Sequence, residues 1–271
     1  MLKVLACLTM LIDHIGYTFF PGKLWLRIIG RLAYPLFAWY IAIGFRRTRN
    51  RGRYLARLLG WGLLSQIPFA LLFHEASWRN PISFLEGTNV LFTFVFAVLG
   101  LLLITACEKL QWEYRAAAWL GAALFAAAAQ WARTDYGAYG VVIVLLFYLL
   151  EGNPEIMAIG NRSSGSPIPS PVGDDSYSHA TSAVFSDNPA INATYAGDMK
   201  IVRMIALPMS IFLVTLLSLG WMRMHPIQLY CVAAVPLTYI RFPDPKPGKW
   251  KYAFYAFYPA HIFLIWLVTF L

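Results

Sequence analysis

The run Thr9-Met10-Leu11-Ile12-Asp13-His14-Ile15-Gly16 decides how this chain is read. It lies in the middle of an apolar stretch, Met1 to Phe20, long enough to cross a bilayer, and it sets an aspartate and a histidine side by side there. An ionisable pair in hydrocarbon is costly unless it is solvated or paired, so it marks a working site rather than an anchor.

Composition agrees with a membrane setting. The chain is 59% hydrophobic, 16% aromatic and 13% charged, whereas an average soluble domain is about 25% charged. Apolar runs near Val4–Phe20, Leu24–Phe45, Tyr54–Phe73, Val90–Cys107, Ala116–Trp131, Tyr136–Leu150, Ile201–Trp221, Pro226–Ile240 and Phe254–Leu271 give nine candidate helices. Barrel-type alternation is absent, which predicts an all-α integral membrane protein, a polytopic helical bundle of about nine to ten transmembrane helices.

Three regions follow. Residues 1–151 hold transmembrane helices one to six and the candidate site, residues 152–200 form a polar flexible insertion, and residues 201–271 carry the C-terminal helices. The insertion is rich in Ser, Asn, Pro, Gly and Asp and lacks helical periodicity.

Basic residues orient the bundle, because Lys and Arg collect in loops that stay inside. Arg46, Arg47, Arg49, Arg51, Arg53 and Arg57 crowd the connection between the second and third runs, which is placed in the cytoplasm. Alternation then puts Lys3, Lys109, Arg115, Lys200, Arg241, Lys246, Lys249 and Lys251 on the same side, so the N-terminus is cytoplasmic. The net charge of +9 is absorbed by this topology and the anionic inner leaflet, with no nucleic-acid pattern. The lipid bilayer is the first partner. Cys7, Cys107 and Cys231 sit in or at the ends of apolar segments, with neither a disulfide framework nor a metal-ligand spacing, so no metal is expected. The first run carries Asp13 and His14 and no small-residue cleavage site follows, so it is read as a retained helix.

Lys3 and His14 are eleven residues apart, which is about three turns, so they share a helix face separated by roughly 16 Å of rise. Asp13 and His14, as neighbours, point about 100° apart and cannot face one another within one helix. Arg27 and Arg31 share a face of the second run, with Arg31 at a depth like that of Asp13. An Asp13–Arg31 ion pair is therefore expected.

These residues and several others carry a resemblance. Lys3-Val4-Leu5 through Ile12-Asp13-His14-Ile15-Gly16, then Ile29-Gly30-Arg31-Leu32-Ala33-Tyr34-Pro35-Leu36-Phe37, and Arg57-Leu58 with Ser65-Gln66-Ile67-Pro68-Phe69 resemble the TraX family of membrane proteins. Asn89-Val90-Leu91-Phe92-Thr93, Asp135-Tyr136-Gly137-Ala138-Tyr139-Gly140 and Phe257-Tyr258-Pro259-Ala260-His261 continue it in the same order. The long insertion departs from the compact pattern of that family.

The resemblance implies a multi-pass protein of the bacterial inner membrane, related to acyltransferases that take an acyl group from cytoplasmic acyl-coenzyme A. The namesake is linked to N-terminal acetylation of conjugative pilin. Type-3 acyltransferases of the wider group carry a basic residue eleven positions before a histidine in their first helix, and Lys3 with His14 match that spacing. Acetyl-CoA is then the donor, and the acceptor is a protein amine or a hydroxyl of a cell-surface glycan.

Acyl transfer from a thioester needs a base for the attacking group, donors for the developing oxyanion and cations for the coenzyme's phosphates. His14 is the candidate base, with Asp13 as its catalytic neighbour. Lys3, Arg31 and Arg57 are the cofactor-binding candidates. The Arg46–Arg57 cluster as a whole reads first as a topology anchor on anionic lipid, and Arg57, one turn inside its helix, is the member best placed to reach a phosphate. Asn89, Tyr258 and His261 are the cavity candidates, although Asn89 can instead cap its helix and His261 can serve as interhelical glue. No phosphate-cradling glycine loop, zinc pattern or nucleophilic serine elbow is present. The competing class is a proton-coupled transporter in which Asp13, His14 and Arg31 form a relay.

Overall fold

The structure is a computed structural model that describes residues 2–74, 76, 81–150, 189–222, 224–240 and 250–269. Its elements in chain order are α1 (Leu2–Phe19), α2 (Leu24–Gly30), α3 (Ala33–Arg47), α4 (Arg51–Phe73), a 3₁₀ turn at Pro81–Leu85, α5 (Val90–Cys107), α6 (Trp112–Trp131) and α7 (Gly137–Leu150). After these come α8 (Pro189–Trp221), a 3₁₀ segment at Pro226–Ala234, α9 (Val235–Tyr239) and α10 (Trp250–Val268). Among the described residues there is no β-strand, only an isolated bridge between Thr88 and Thr134. The all-α expectation holds.

Among the described residues five stretches are long and apolar enough to cross a membrane: Leu2–Phe19, Leu24–Arg47, Arg51–Phe73, Val90–Cys107 and Met204–Trp221. Gly137–Leu150 and Tyr252–Val268 are apolar but shorter. Helix α6 is long enough, yet it is alanine-rich and carries Glu113 in its first turn, which dilutes its hydropathy. The run Pro226–Ile240 does not form one α-helix; it splits into the 3₁₀ segment and the five-residue α9.

Two local departures from the sequence pattern have physical causes. The second apolar run breaks at Arg31 and Leu32 into α2 and α3, four residues ahead of Pro35, whose ring would collide with the Arg31 carbonyl in a continuous helix. The chain turns there through a tightened bond from Leu32 N to Ile29 O of 3.2 Å. Helix α8 starts at Pro189, inside the stretch read as insertion, and residues 151–188 lie outside the described residues.

Packing is organised around α5 and α7. Val141, Ile143, Val144 and Phe147 of α7 and Ala97, Val98 and Leu101 of α5 are fully buried. Helix α6 meets α5 through a stripe of buried small residues, Ala118, Ala122, Ala126 and Ala129, which lets the backbones approach closely. Its other face exposes Trp119, Leu120, Leu124 and Trp131, the pattern of a surface facing lipid.

Helix α4 sets the scale of the bundle. Asn50 caps its start by accepting from Arg53 N at 2.8 Å, directly after the arginine run, and the helix continues for 23 residues to Phe73. At 1.5 Å per residue it separates Arg51 from Phe73 by about 33 Å. The arginine-rich end and the end carrying Phe69, Phe73 and His74 are therefore opposite ends of the bundle.

Candidate active site

Asp13 sits on the buried face of α1, where it meets α2 across a close helix crossing. Gly30 makes the approach possible, since a Cβ there would run into the Asp13 side chain. Arg31 Nη2 then donates to Asp13 Oδ1 at 2.9 Å and Oδ2 at 2.7 Å, while Arg27 Nη1 lies 3.1 Å from Oδ1 and 3.2 Å from the Asp13 carbonyl oxygen. The expected Asp13–Arg31 pair is formed, with Arg27 as a second cation. Arg31 spends its other donors inside the protein, Nη1 on Gln228 Oε1 at 3.0 Å and Nε on the Arg27 carbonyl at 3.3 Å. So occupied, Arg31 is held as a strut of the site.

About 100° around α1 from the carboxylate, His14 faces α10. His14 Nδ1 is 2.8 Å from His261 Nε2, and His261 Nδ1 is 2.7 Å from the Phe257 carbonyl oxygen. His261 is buried, whereas His14 is half-buried and has the edge of the Phe73 ring beside it. Asp13 makes no bond to His14. The two residues that are adjacent in sequence serve different neighbours, as their angular separation on the helix requires.

Asp13, His14, Arg27 and Arg31 border a cavity of about 310 Å³, whereas His261, expected to line it, lies behind His14 and is not part of the lining. Asp13, His14, Arg27, Arg31, His74, Asp135, Tyr136 and Tyr258 contribute its polar lining, and Met10, Phe37, Phe69 and Phe73 its apolar walls. All the elements that supply it do so from the half of the bundle remote from the arginine cluster. The cavity does not extend to Lys3 or Arg57.

Asp135, which the sequence places near the outer mouth of its helix with capping as a sufficient account, also lines the cavity. It lies in the turn between α6 and α7, held by a short ladder in which Thr88 N donates to Arg133 O at 3.1 Å and Asp135 N to Thr88 O at 2.9 Å. Thr93 and Thr134 lock the same turn by a hydroxyl bond of 2.9 Å. The turn strains Arg133, at φ 50°, while Gly137 takes the same φ without penalty. Its carboxylate opens onto the cavity and faces Arg31 and Arg27 as well as Asp13, so two acids and two arginines balance. Asp135 is exposed where it borders the cavity, and the protein around its carboxyl pushes it up to about 6, the arginines opposing and Asp13 adding to the rise. Capping accounts for an acid just ahead of α7 without reference to a cavity, and the ladder that holds Asp135 in the site joins segments 46 residues apart.

The other candidates are placed as follows. Tyr258 is buried and lines the cavity. Asn89 does not: it is fully buried, accepts from Leu91 N at 3.1 Å as the cap of α5, and donates from Nδ2 to Gly62 O and Gln66 Oε1, both at 2.8 Å. The capping alternative describes it, and acceptor contact does not. Lys3 has its ammonium 4.9 Å from the Tyr40 ring centre and 5.8 Å from that of Phe254, and Arg57 lies over Tyr54 at 5.8 Å. Both belong to the arginine-rich end of the bundle. In the same region Arg46 stacks on Tyr148 at 4.0 Å, and Arg51 donates to Thr105 at 2.9 Å. Among the described residues no cluster of His, Cys, Asp and Glu has metal-site geometry.

Known proteins give this geometry a context. A probable fimbrial assembly protein, FimC of serogroup H1 from Dichelobacter nodosus, is 37% identical over 109 residues, 38% of this chain and 44% of that protein. A protein named TraX from Escherichia coli is 30% identical over 154 residues, 55% of this chain and 54% of its own length. An uncharacterised Rickettsia prowazekii protein is 25% identical over 152 residues. The chain spans about half the length of the curated relatives it matches. No solved structure matches. The family described as TraX protein matches residues 1–159, more than half of the chain and every element of the cavity except the α8 exit and α10, and this chain belongs to that family.

Proposed function

We propose that this protein is a membrane-embedded acyltransferase that moves an acetyl group from acetyl-CoA to an acceptor held in the cavity at His14. The observation that carries the proposal is the position of His14 on the cavity wall, with one ring nitrogen engaged by His261 and the other, Nε2, engaged by no described residue. In this scheme the acceptor nitrogen or oxygen attacks the thioester carbonyl, His14 Nε2 takes its proton, the carbon–sulfur bond breaks, and the proton passes to the leaving thiolate of coenzyme A. Arg27, which lines the cavity with part of its guanidinium accessible, supplies positive charge for the oxyanion. Asp135 suits an amine acceptor, which arrives as an ammonium ion and pairs with a carboxylate before losing its first proton.

The donor side is assigned to the arginine-rich end, taken as cytoplasmic, in a bundle of about nine to ten spans in the bacterial inner membrane. Lys3 and Arg57 are there to meet the coenzyme's phosphates, and the pantetheine arm has to reach His14 past Met10 and Phe37 on the cavity's inner wall. The fimbrial-assembly name of the Dichelobacter relative and the TraX names favour a pilin amine over a glycan hydroxyl as acceptor. The carrier alternative loses its relay, because Asp13 is taken up by two arginines and His14 bonds to His261 instead.

The test is acetyl-CoA hydrolysis or transfer to a peptide amine by the purified protein, with His14→Ala as control, together with coenzyme A in thermal unfolding. Transfer that depends on His14, and a coenzyme-induced rise in Tm, support the reading. Absence of both in a folded preparation overturns it.

A further inference from the structure

We infer that His261 is a positioning residue that fixes His14 as its Nδ1–H tautomer, so that the lone pair of His14 is delivered at Nε2. The inference rests on the acyl-transfer reading for its consequence but not for its geometry. Three groups stand in a row: the Phe257 carbonyl oxygen, 2.7 Å from His261 Nδ1, and His261 Nε2, 2.8 Å from His14 Nδ1. A carbonyl oxygen only accepts, so the hydrogen of that first contact belongs to His261 Nδ1. A neutral His261 then has a bare lone pair at Nε2. The second contact needs a donor, and it is His14 Nδ1–H. A neutral His14 with its proton at Nδ1 has its basic lone pair at Nε2.

The opposite assignment fails at the same short distances. With the proton of His261 at Nε2, its Nδ1 lone pair would oppose the lone pairs of the Phe257 oxygen at 2.7 Å. That arrangement leaves a buried acceptor unsatisfied and repelled.

Ring geometry fits a hydrogen bond and not a stack. The planes of His14 and His261 differ by 7° and their centroids are 5.0 Å apart, which is the spacing of two coplanar imidazoles joined nitrogen to nitrogen. A face-to-face pair with a nitrogen contact of 2.8 Å would bring the centroids much closer. The row is also held from behind. Phe257 stacks on His261 with centroids 4.7 Å apart, Tyr258 sits beside it at 5.9 Å, and both belong to the same helix. His261 is 5% exposed and therefore has no water to compete for its nitrogens.

The consequence is one of direction. In the Nε2–H form His14 would present a donor where a base is required, so the backbone carbonyl of Phe257, acting through His261, determines which nitrogen of His14 does the chemistry. When His14 takes a proton, the extra charge is shared through the same bond toward His261, where the Phe257 oxygen meets it.

The experiment uses the full-length protein in lipid nanodiscs, labelled with nitrogen-15 at its five histidines. The His14 signals are identified by their loss in His14→Gln. The expected spectrum shows neutral His14 with protonated Nδ1 and bare Nε2, moving toward the Nε2–H form in His261→Leu. His261→Gln retains an acceptor oxygen and should keep the wild-type tautomer. In acyl transfer, His261→Leu should lose about 10³- to 10⁴-fold in kcat, on the scale of other tautomer-reversing changes, and His261→Gln should recover a large part of that loss. A wild-type His14 in the Nε2–H form overturns the inference, and so does a spectrum that does not change in His261→Leu. The wild-type spectrum alone decides if that variant does not fold. An Nδ1–H His14 in a protein without transferase activity leaves the relay standing and removes the acyltransferase reading, so the two failures are told apart.

Discussion

Asp13 and Arg31, eighteen residues apart on two helices, meet through both carboxylate oxygens, at 2.9 and 2.7 Å from a single Nη2. The contact is bifurcated on one nitrogen, which leaves Nη1 for Gln228 and ties α1, α2 and the Pro226–Ala234 segment into one polar joint. Both side chains are 12% exposed.

Removing one partner of such a joint strands the other. Asp13→Ala should destabilise the protein by about 3–5 kcal/mol, the usual loss for breaking a buried ion pair, read as a lower Tm in detergent. The double variant Asp13→Ala with Arg31→Leu should recover part of that loss. If both single variants melt like wild type, the pair does not hold the helices.

Gly30→Ala probes the same crossing by volume instead of charge. Its added methyl would run into Asp13, forcing α1 and α2 apart, with an expected cost of about 1–3 kcal/mol. Cysteine cross-linking between the two helices should slow in parallel, and unaltered cross-linking with unaltered Tm would contradict the close approach.

Substituting His14 separates chemistry from scaffolding. His14→Ala removes the base and should lower acyl transfer by about 10²- to 10⁴-fold. Insertion and coenzyme A binding should persist, since Lys3 and Arg57 are assigned to the coenzyme and lie at the other end of the bundle. Near-normal turnover would dismiss His14.

Asn89→Ala should act on stability and leave acceptor affinity alone. It removes the α5 cap and the side-chain bonds to Gly62 O and Gln66 Oε1, for an expected loss of about 1–3 kcal/mol. A changed KM for acceptor with an unchanged Tm would restore Asn89 to the binding surface.

Asp135 gives a pH signature. With its carboxyl at about 6 in the folded protein, it gains charge as pH rises through 6, so transfer to an amine acceptor should rise over that range and lose this limb in Asp135→Asn. The stability effect has the opposite sense. The folded value stands above the unfolded value of 3.8, so between about pH 4 and 6 the folded state binds more protons, and this group makes stability fall as pH increases. Asp135→Asn should flatten that part of the Tm profile.

Much of this molecule could be read from the chain alone. The density of apolar residues dictates helices, because hydrocarbon leaves backbone groups no partner outside their own segment. Period and depth along those helices were enough to pair Asp13 with Arg31 and to exclude a bond between Asp13 and His14. The break at Arg31 was available in principle from Pro35, but apolar continuity through the run concealed it.

What the chain could not announce is which distant segments converge. His14 and His261 are 247 residues apart, and the Thr88–Asp135 ladder that aims a carboxylate at the cavity joins two loops whose sequences show no matching pattern. Helical periodicity reports which face a side chain occupies and how deep it lies, and both quantities are local. The identity of the neighbour across that face depends on how all the helices pack together, which is a property of the assembled bundle. Hence membrane character, the buried charge pair and the candidate base came from sequence, whereas the partner of that base, the place of Asp135 on the cavity and the separation of the cavity from the arginine-rich end were decided by tertiary structure.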